Sequence, residues 1–332
     1  MKLIITGGTG FLASNLLDVF LELDHSLIVI SRSAKPAKYH AHENLEWIQH
    51  DLSESKLKSE ELISCDNLYH FSGATLGANL DQGGYCKANE ETLINLMESD
   101  IKANQIIFPS SQVVYGNINK KNINEDEVIG FPESAYSASK INTENWIALF
   151  QKKFEVPVVI FRMSGFIEGG GVIDYIIDEA LADNDIELFS KGLISRDYLL
   201  LNDVINLLVS ISEKQFSKEL HIFNLGSGED IQILQIAKII VEALGSKSKI
   251  RCLDQKARME SALSAFKWDA MISSAFFGAR PAYYAVRKGI GSVPFRMFKD
   301  KTKQSFLNWY IGKNKKVERI YDNKETVMNH IY

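Results

Sequence analysis

Three side chains of this 332-residue chain have the types and spacing to move a proton and steady a substrate oxygen: Ser111, Tyr136 and Lys140. Tyr136 and Lys140 stand four apart in Tyr-Ser-Ala-Ser-Lys, so on a helix both side chains share one face. A phenol with a pKa of about 10 is a poor proton shuttle at neutral pH, but a neighbouring ammonium stabilises the phenolate and brings it toward working range. Ser111, after the apolar run Ile106-Ile107-Phe108, would supply the hydrogen bond that polarises the substrate oxygen. Taken singly, Tyr136 reads as a buried aromatic and Lys140 as a solvated helix lysine. Their meaning comes from what stands upstream.

Gly7, Gly10 and Ala13 follow the apolar run Leu3 to Thr6 and precede Phe11, Leu12, Leu16, Val19, Phe20 and Leu23, which recur at helical spacing. In a strand, turn and helix the two glycines permit a tight turn and close approach to a pyrophosphate, and Ala13 lets helix and strand pack closely. Free N–H groups at the helix N-terminus then face the anion. That is a dinucleotide site, and ribose contacts from a nicotinamide cofactor would act on Tyr136 together with Lys140. The second strand ends Val29-Ile30-Ser31-Arg32-Ser33, about twenty residues past the turn, where an NAD enzyme carries an acid for the ribose hydroxyls. Arg32 can instead pair with a 2′-phosphate while Ser31 and Ser33 donate hydrogen bonds, so NADP is the better match and NAD the alternative. Asp51-Leu52 could place a carboxylate near the adenine amino group.

These residues need a frame that brings them together. Strand-like runs at Ser26 to Ile30, Asn67 to Phe71, Gln105 to Pro109 and Val156 to Arg162 alternate with helix-length stretches at Lys87 to Lys102 and Ala135 to Phe154. This predicts an α/β fold of Rossmann type, a doubly wound parallel sheet with ligands at the strands' C-terminal ends. The second half is less regular, with helices expected at Val172 to Asn184 and Ile231 to Gly245 and a strand at His221 to Leu225. The expected division is a dinucleotide-binding domain over 1–165, to which 196–225 returns, and a smaller, mixed substrate lobe from 166–195 and 226–332.

Composition narrows the function further. With 37 Lys plus Arg against 42 Asp plus Glu, the formal charge of −5 gives no field that would gather nucleic acid or anionic lipid. Three scattered cysteines, Cys65, Cys86 and Cys252, form neither a disulfide framework nor a thiolate site, and a reducing cytoplasm is the expected location. No apolar run is long enough to span a bilayer. His40 and His42 have no second ligand pair, so no metal is expected. Nor is there a GxSxG elbow, and Gly169-Gly170-Gly171 lacks the Lys-Ser/Thr ending of a P-loop. Gly291 to Tyr332 is rich in basic and aromatic residues and is expected to be a C-terminal helix with a solvated end.

The sequence resembles the extended short-chain dehydrogenase/reductase family, and within it the NAD(P)-dependent epimerase/dehydratase group acting on nucleotide sugars. The likeness runs through Thr6-Gly7-Gly8-Thr9-Gly10-Phe11-Leu12-Ala13, Tyr69-His70-Phe71-Ser72-Gly73-Ala74, Ser110-Ser111-Gln112-Val113-Val114-Tyr115-Gly116 and Tyr136-Ser137-Ala138-Ser139-Lys140. It continues through Phe161-Arg162, Arg196-Asp197-Tyr198 with Asp203-Val204, Phe223-Asn224-Leu225-Gly226-Ser227-Gly228, and Phe277-Gly278-Ala279-Arg280-Pro281 leading to Gly289-Ile290. The resemblance implies that Ser111, Tyr136 and Lys140 are the catalytic triad, that Phe11 and Leu12 join the cofactor turn, and that Ala74 approaches the nicotinamide. It also places Asn89 at the family's helix asparagine, Gln112 and Ser164 beside substrate, and Arg196 on the substrate phosphates, with Arg258 and Arg280 as weaker candidates. A homodimer through the helices at Lys87 to Lys102 and Ala135 to Phe154 is likewise implied.

Two departures shape the expected function. Members that dehydrate at carbons 4 and 6 carry Asp-Glu directly after the catalytic Ser/Thr, because eliminating water needs its own acid and base. Here Gln112 and Val113 stand there. Gly165 replaces an asparagine that commonly contacts substrate. The expectation is an NADP-dependent oxidoreductase of a nucleotide-linked sugar, foremost a 4-keto-sugar reductase, with a 4-epimerase as the alternative. A non-catalytic, cofactor-sensing or partner-binding protein is the third reading.

Overall fold

The computed structural model describes residues 1–116, 123–127, 129–168, 171–228 and 230–254. Arg258, Arg280, the motif matches from Phe277 to Ile290, the stretch Gly291 to Tyr332, Gly169 and Gly170 lie outside the described residues.

Leu3, Ile4, Ile5 and Thr6 are all buried in β1 (Lys2–Thr6), because a central parallel strand is covered on both faces. It pairs in parallel with β2 (Ser26–Ser31) on one side and β4 (Ile63–His70) on the other, Ile5 lying opposite Val29 and Tyr69. With β3 (Leu45–Gln49), β5 (Ile101–Ser111), β6 (Val158–Met163) and, later in the chain, β10 (Leu220–Leu225), they form one seven-stranded sheet of order β10-β6-β5-β4-β1-β2-β3. The order reverses between β1 and β4, and the crevice at their C-terminal ends is where ligands bind in open α/β sheets. The expected doubly wound sheet is therefore present.

Helix α1 (Phe11–Glu22) buries Ala13, Leu16, Leu17 and Phe20, one face at i, i+3, i+4 and i+7. Helix α4 (Ala135–Phe154) spans the expected residues; Ser134 and Ser137 cap its start reciprocally, satisfying two backbone donors. The helix expected over 87–102 is instead three pieces: α2 (Gln82–Tyr85), a π-helical turn Cys86–Glu91, and α3 (Thr92–Met97). It stops where the Ser99 hydroxyl bonds Asn95 O and accepts from Leu57 N, after which Ile101 and Lys102 already belong to β5. Among the elements not expected from the sequence are β3, a sheet edge strand with only partial alternation, and α6 (Leu201–Ser212), whose apolar residues recur at helical spacing.

The described residues divide into two compact units. The first comprises Met1–Gly116, Glu125–Met163 and Ile205–Asn224; the second includes Ser164–Val204 and 225–254. The chain thus returns to the first unit at Ile205, later than the expected 196. The second unit holds a mixed three-stranded sheet in which β9 (Ser195–Leu199) runs parallel to β7 (Gly165–Phe166) and antiparallel to β11 (Asp230–Gln232). A parallel pair of β8 (Ile186–Leu188) and β12 (Ile250–Cys252) accompanies it. Its core joins Ile173, Ile176, Ile177 and Ala180 of α5 (Val172–Leu181) to Ile233, Ala237 and Ile240 of α7 (Ile233–Ala243). Both helices are shorter than their apolar pattern: Asp183 turns left-handed after α5, and Ile231 is taken into β11 before α7. Among the described residues no helix is long and apolar enough to cross a membrane, and no three potential metal ligands cluster.

Candidate active site

The turn between β1 and α1 is shaped for close approach. Gly7 has φ +73°, and a Cβ there would lie 2.9 Å from Ser72 N. Gly10 N donates to Gly7 O at 2.8 Å, and Gly10 then caps α1 with no side-chain bond to the helix's first turn. Uncapped N–H groups at a helix N-terminus, over a glycine surface without side chains, fit the pyrophosphate of a dinucleotide. Ala13, 1% exposed, faces the sheet, whereas Phe11 is exposed and Leu12 half-buried.

At the end of β2, Ser31 is buried and its Oγ accepts from Ser33 N at 3.3 Å. Arg32 is exposed and makes no ion pair among the described residues. The Asp51 carboxylate accepts from Ser53 N and Oγ at 2.9 and 2.7 Å. Those hydrogen bonds, with Arg32 and Lys87 nearby, hold it below the usual carboxylate range. Leu52 is buried in the core under the sheet, its carbonyl accepting from Asn95 Nδ2.

The loop after β4 is tied to the helices. Asn89, 3% exposed in the π-helical turn, accepts from Ala74 N at 2.7 Å and donates to Ser139 Oγ at 2.8 Å. One side chain therefore spans from Ala74 to the helix turn that carries Tyr136 and Lys140. A Cβ on Gly73 would strike Asn89 Oδ1 at 2.7 Å, which explains the glycine before Ala74.

Ser111 ends β5, and Tyr136 begins α4. The structure brings them together: Ser111 lies near enough to the Tyr136 phenol to lower its pKa. Burial pushes that phenol up to about 12, against the lowering effect of Ser111, so Tyr136 is a protonated donor at neutral pH. Its ring leans on Tyr85 at 5.6 Å. Lys140 Nζ donates to Pro109 O at 3.3 Å and sits 4.9 Å over the Phe108 ring. Desolvation pulls this ammonium down to about 8, and Glu144, one turn further along α4, opposes the shift. Gln112 is buried with Oε1 unpartnered.

Several supporting residues were not singled out from the sequence. Glu144 and Arg162, 4% and 3% exposed, form an ion pair at 2.8 Å. Glu144 also accepts from Ser110 Oγ, and Arg162 reaches the Tyr115 hydroxyl at 2.8 Å. Arg162 lies directly opposite Ser110 in the β5–β6 ladder. A charged residue inside the apolar run Val158-Val159-Ile160-Phe161-Arg162-Met163 was the available signal, since a buried guanidinium demands a partner. Thr6 Oγ1 accepts from Ser72 N and bonds His70 Nδ1, each at 2.9 Å. Complete burial, with Lys140 nearby, pushes the His70 imidazole down to about 3, so it is neutral.

Ser164 and Arg196 belong to the second unit. Ser164 Oγ and Arg196 Nε are both buried without partners. Asp197 is 1% exposed and accepts from Ser227 N and Oγ and from Gly228 N. A Cβ on Gly165 would meet only the Tyr198 ring, at 3.8 Å.

The chain is 25% identical over 281 residues to UDP-glucuronic acid decarboxylase 1 of Xenopus tropicalis, the match covering 76% of this chain and 63% of that one. It thus spans less than two thirds of that relative's length. To dTDP-4-dehydro-6-deoxyglucose reductase of Escherichia coli it is 27% identical over 270 residues, covering 74% of this chain and 83% of the relative. Among solved structures, the UDP-N-acetylglucosamine 4-epimerase from Methanobrevibacter ruminantium M1 superposes with a TM-score of 0.72 at 20% identity, covering 94% of this chain and 99% of that one, a likeness of fold. The family model for the NAD dependent epimerase/dehydratase family matches residues 3–226, from the first strand of the sheet to just past its last, and the chain belongs to that family.

Proposed function

We propose that the protein is an NADP-dependent oxidoreductase of a nucleotide-linked sugar, acting as a 4-keto-sugar reductase. The observation that carries this reading is the buried, protonated Tyr136 beside Ser111. A carbonyl being reduced needs a proton donor at its oxygen, and a phenol raised to about 12 is in the donating state at neutral pH. When bound, NADPH supplies the hydride. Ser111 Oγ–H polarises the carbonyl, Tyr136 gives its proton to the same oxygen, and Lys140 stabilises the phenolate left behind. With its pKa near 8, Lys140 is mostly an ammonium at pH 7.

The nucleotide-linked substrate is supported by the names of relatives such as UDP-glucuronic acid decarboxylase 1 and dTDP-4-dehydro-6-deoxyglucose reductase, which carry UDP or dTDP. Arg196, with its buried unpartnered Nε, is suited to a diphosphate. Gln112 and Val113 speak against dehydration, because neither can serve as the acid or base that elimination requires. The homodimer is supported by Trp146, Leu149 and Phe154, apolar side chains exposed on α4; sedimentation as a monomer at micromolar concentration would refute it.

The test is incubation of the protein with NADPH and a 4-keto-6-deoxy nucleotide sugar. Stoichiometric oxidation of NADPH with formation of the alcohol is expected. Isomerisation of a nucleotide hexose without cofactor consumption would replace this reading by a 4-epimerase. Tight cofactor binding, no hydride exchange across a panel of nucleotide sugars and a captured protein partner would replace it by the non-catalytic one.

A further inference from the structure

Two side chains of the edge strand reach over to the loop that follows β2. Trp47 Nε1 donates to Ser33 O at 2.9 Å, and Gln49 Nε2 donates to Arg32 O at 3.2 Å. Trp47 lies opposite Val29 and Gln49 opposite Ser31, so residues two apart on β3, on one face, hold two successive carbonyls. Trp47 is itself fixed from two directions. Its ring stacks on Tyr39 at 6.2 Å, and Tyr39 is anchored to α1 by bonds from its hydroxyl to Asp18 Oδ1 and Ser14 O. On the other side the indole sits so close to the cofactor turn that a Cβ on Gly8 would lie 2.9 Å from Trp47 Cη2.

The consequence is chemical. A ribose 2′-hydroxyl needs an acceptor, and a 2′-phosphate needs donors and no nearby lone pairs. With both carbonyls turned to β3 and the Ser31 Oγ lone pair engaged by Ser33 N, the loop presents the Arg32 guanidinium and the Ser31 and Ser33 hydroxyls as donors. Asp51, two residues past β3, directs Oδ1 at Ser53.

We propose that Trp47 and Gln49 are positioning residues for dinucleotide choice: by drawing the carbonyls of Ser33 and Arg32 away, they leave a face of donors that selects the 2′-phosphate of NADP over the 2′-hydroxyl of NAD. This rests on the assignment of Arg32 to NADP made above. Neither residue touches the cofactor in this scheme; both act through the loop backbone.

Calorimetric titration of the full chain with NADP and with NAD tests it, read as the Kd for NAD divided by the Kd for NADP. Trp47→Phe removes the N–H and keeps an aromatic ring beside Tyr39, but it also takes away the outer ring atoms that approach Gly8, so Gln49→Leu is the cleaner variant. Gln49→Leu changes an exposed side chain and leaves folding intact. Each is expected to weaken NADP roughly 2–10-fold, the loss of one hydrogen bond, while NAD changes less than about twofold. Arg32→Ala is the reference. A fall in the ratio with Arg32→Ala but not with Trp47→Phe or Gln49→Leu overturns the role of β3 and leaves the NADP assignment standing. A ratio unchanged in all three overturns both.

Discussion

Replacing Arg162 by methionine is expected to cost the protein far more than a typical substitution. The guanidinium meets Glu144 through three contacts, Nε to both carboxylate oxygens at 3.2 Å and Nη2 to Oε2 at 2.8 Å, with both side chains almost fully buried. Methionine fills similar volume but leaves the Glu144 carboxylate buried with Ser110 as its remaining side-chain donor among these contacts. Removing one member of a buried pair costs about 3–5 kcal/mol, because the other charge stays uncompensated. For a unit of this size that corresponds to a fall in Tm of roughly 6–20 °C. Urea denaturation followed by circular dichroism measures it. Arg162→Met combined with Glu144→Leu removes both charges and should lose less than the sum of the single variants, by roughly 1–3 kcal/mol. A single variant within about 1 kcal/mol of the parent, or strict additivity of the pair, would refute the assignment of this contact as a desolvated, mutually dependent pair.

Tyr136→Phe should lower the reduction rate by about 10²-fold or more, since the lost group is the proton donor, while NADPH still binds through the glycine turn; stopped-flow hydride transfer checks it. Lys140 has its folded pKa near 8, below the ordinary 10.5, so the unfolded chain binds more protons between those values. Its contribution to stability therefore rises with pH from about 8 toward 10.5, a rise that Lys140→Met should abolish, while turnover of the parent falls above pH 8 as the ammonium is lost. Gly7→Ala forces a side chain onto φ +73° against Ser72 N, and is expected to weaken cofactor binding by about tenfold or more, measured by fluorescence titration; unchanged affinity would show that the turn can relax.

What could be read from the sequence was whatever local chemistry dictates. The glycine turn announces itself because only a residue without a Cβ tolerates the approach of Ser72, and α4 announces itself through Ser134, Ser137 and one buried face. The helix expected over 87–102 is helical over 87–97, and its π-turn and early end have causes outside local pattern. A π-turn that aims Asn89 at Ala74 and Ser139 is set by tertiary hydrogen bonds, not by periodicity. β3 and α6 were missed similarly. Leu45 to Gln49 is a strand because the sheet needs an edge, and α6 is stitched to the sheet by Tyr69 and Asn67, whose side chains donate to Leu208 O and Ser212 O. The candidate site residues Ser111, Tyr136 and Lys140 stand out by type and spacing, whereas Glu144, Trp47 and Gln49 do not, because their partners are distant in sequence.

The supporting contacts share a design that bears on why this site is polar beneath as well as above. Thr6 links β1 to the loop after β4, Asn89 links that loop to α4, and Glu144 links α4 to β5 and β6 through Ser110 and Arg162. Each link crosses between elements that apolar packing alone would hold with some latitude, because hydrophobic contacts fix distance better than direction. Hydrogen bonds at 2.7 to 2.9 Å do fix direction, and an unmet member would be costly in the interior. Leu, Ile or Met at Asn89 could pack the same space, yet would leave Ala74 N without its acceptor and cut the tie to Ser139 Oγ, which itself donates to Tyr136 O. These links fix where the Ser111 hydroxyl, the Tyr136 phenol and the Lys140 ammonium sit relative to the glycine turn.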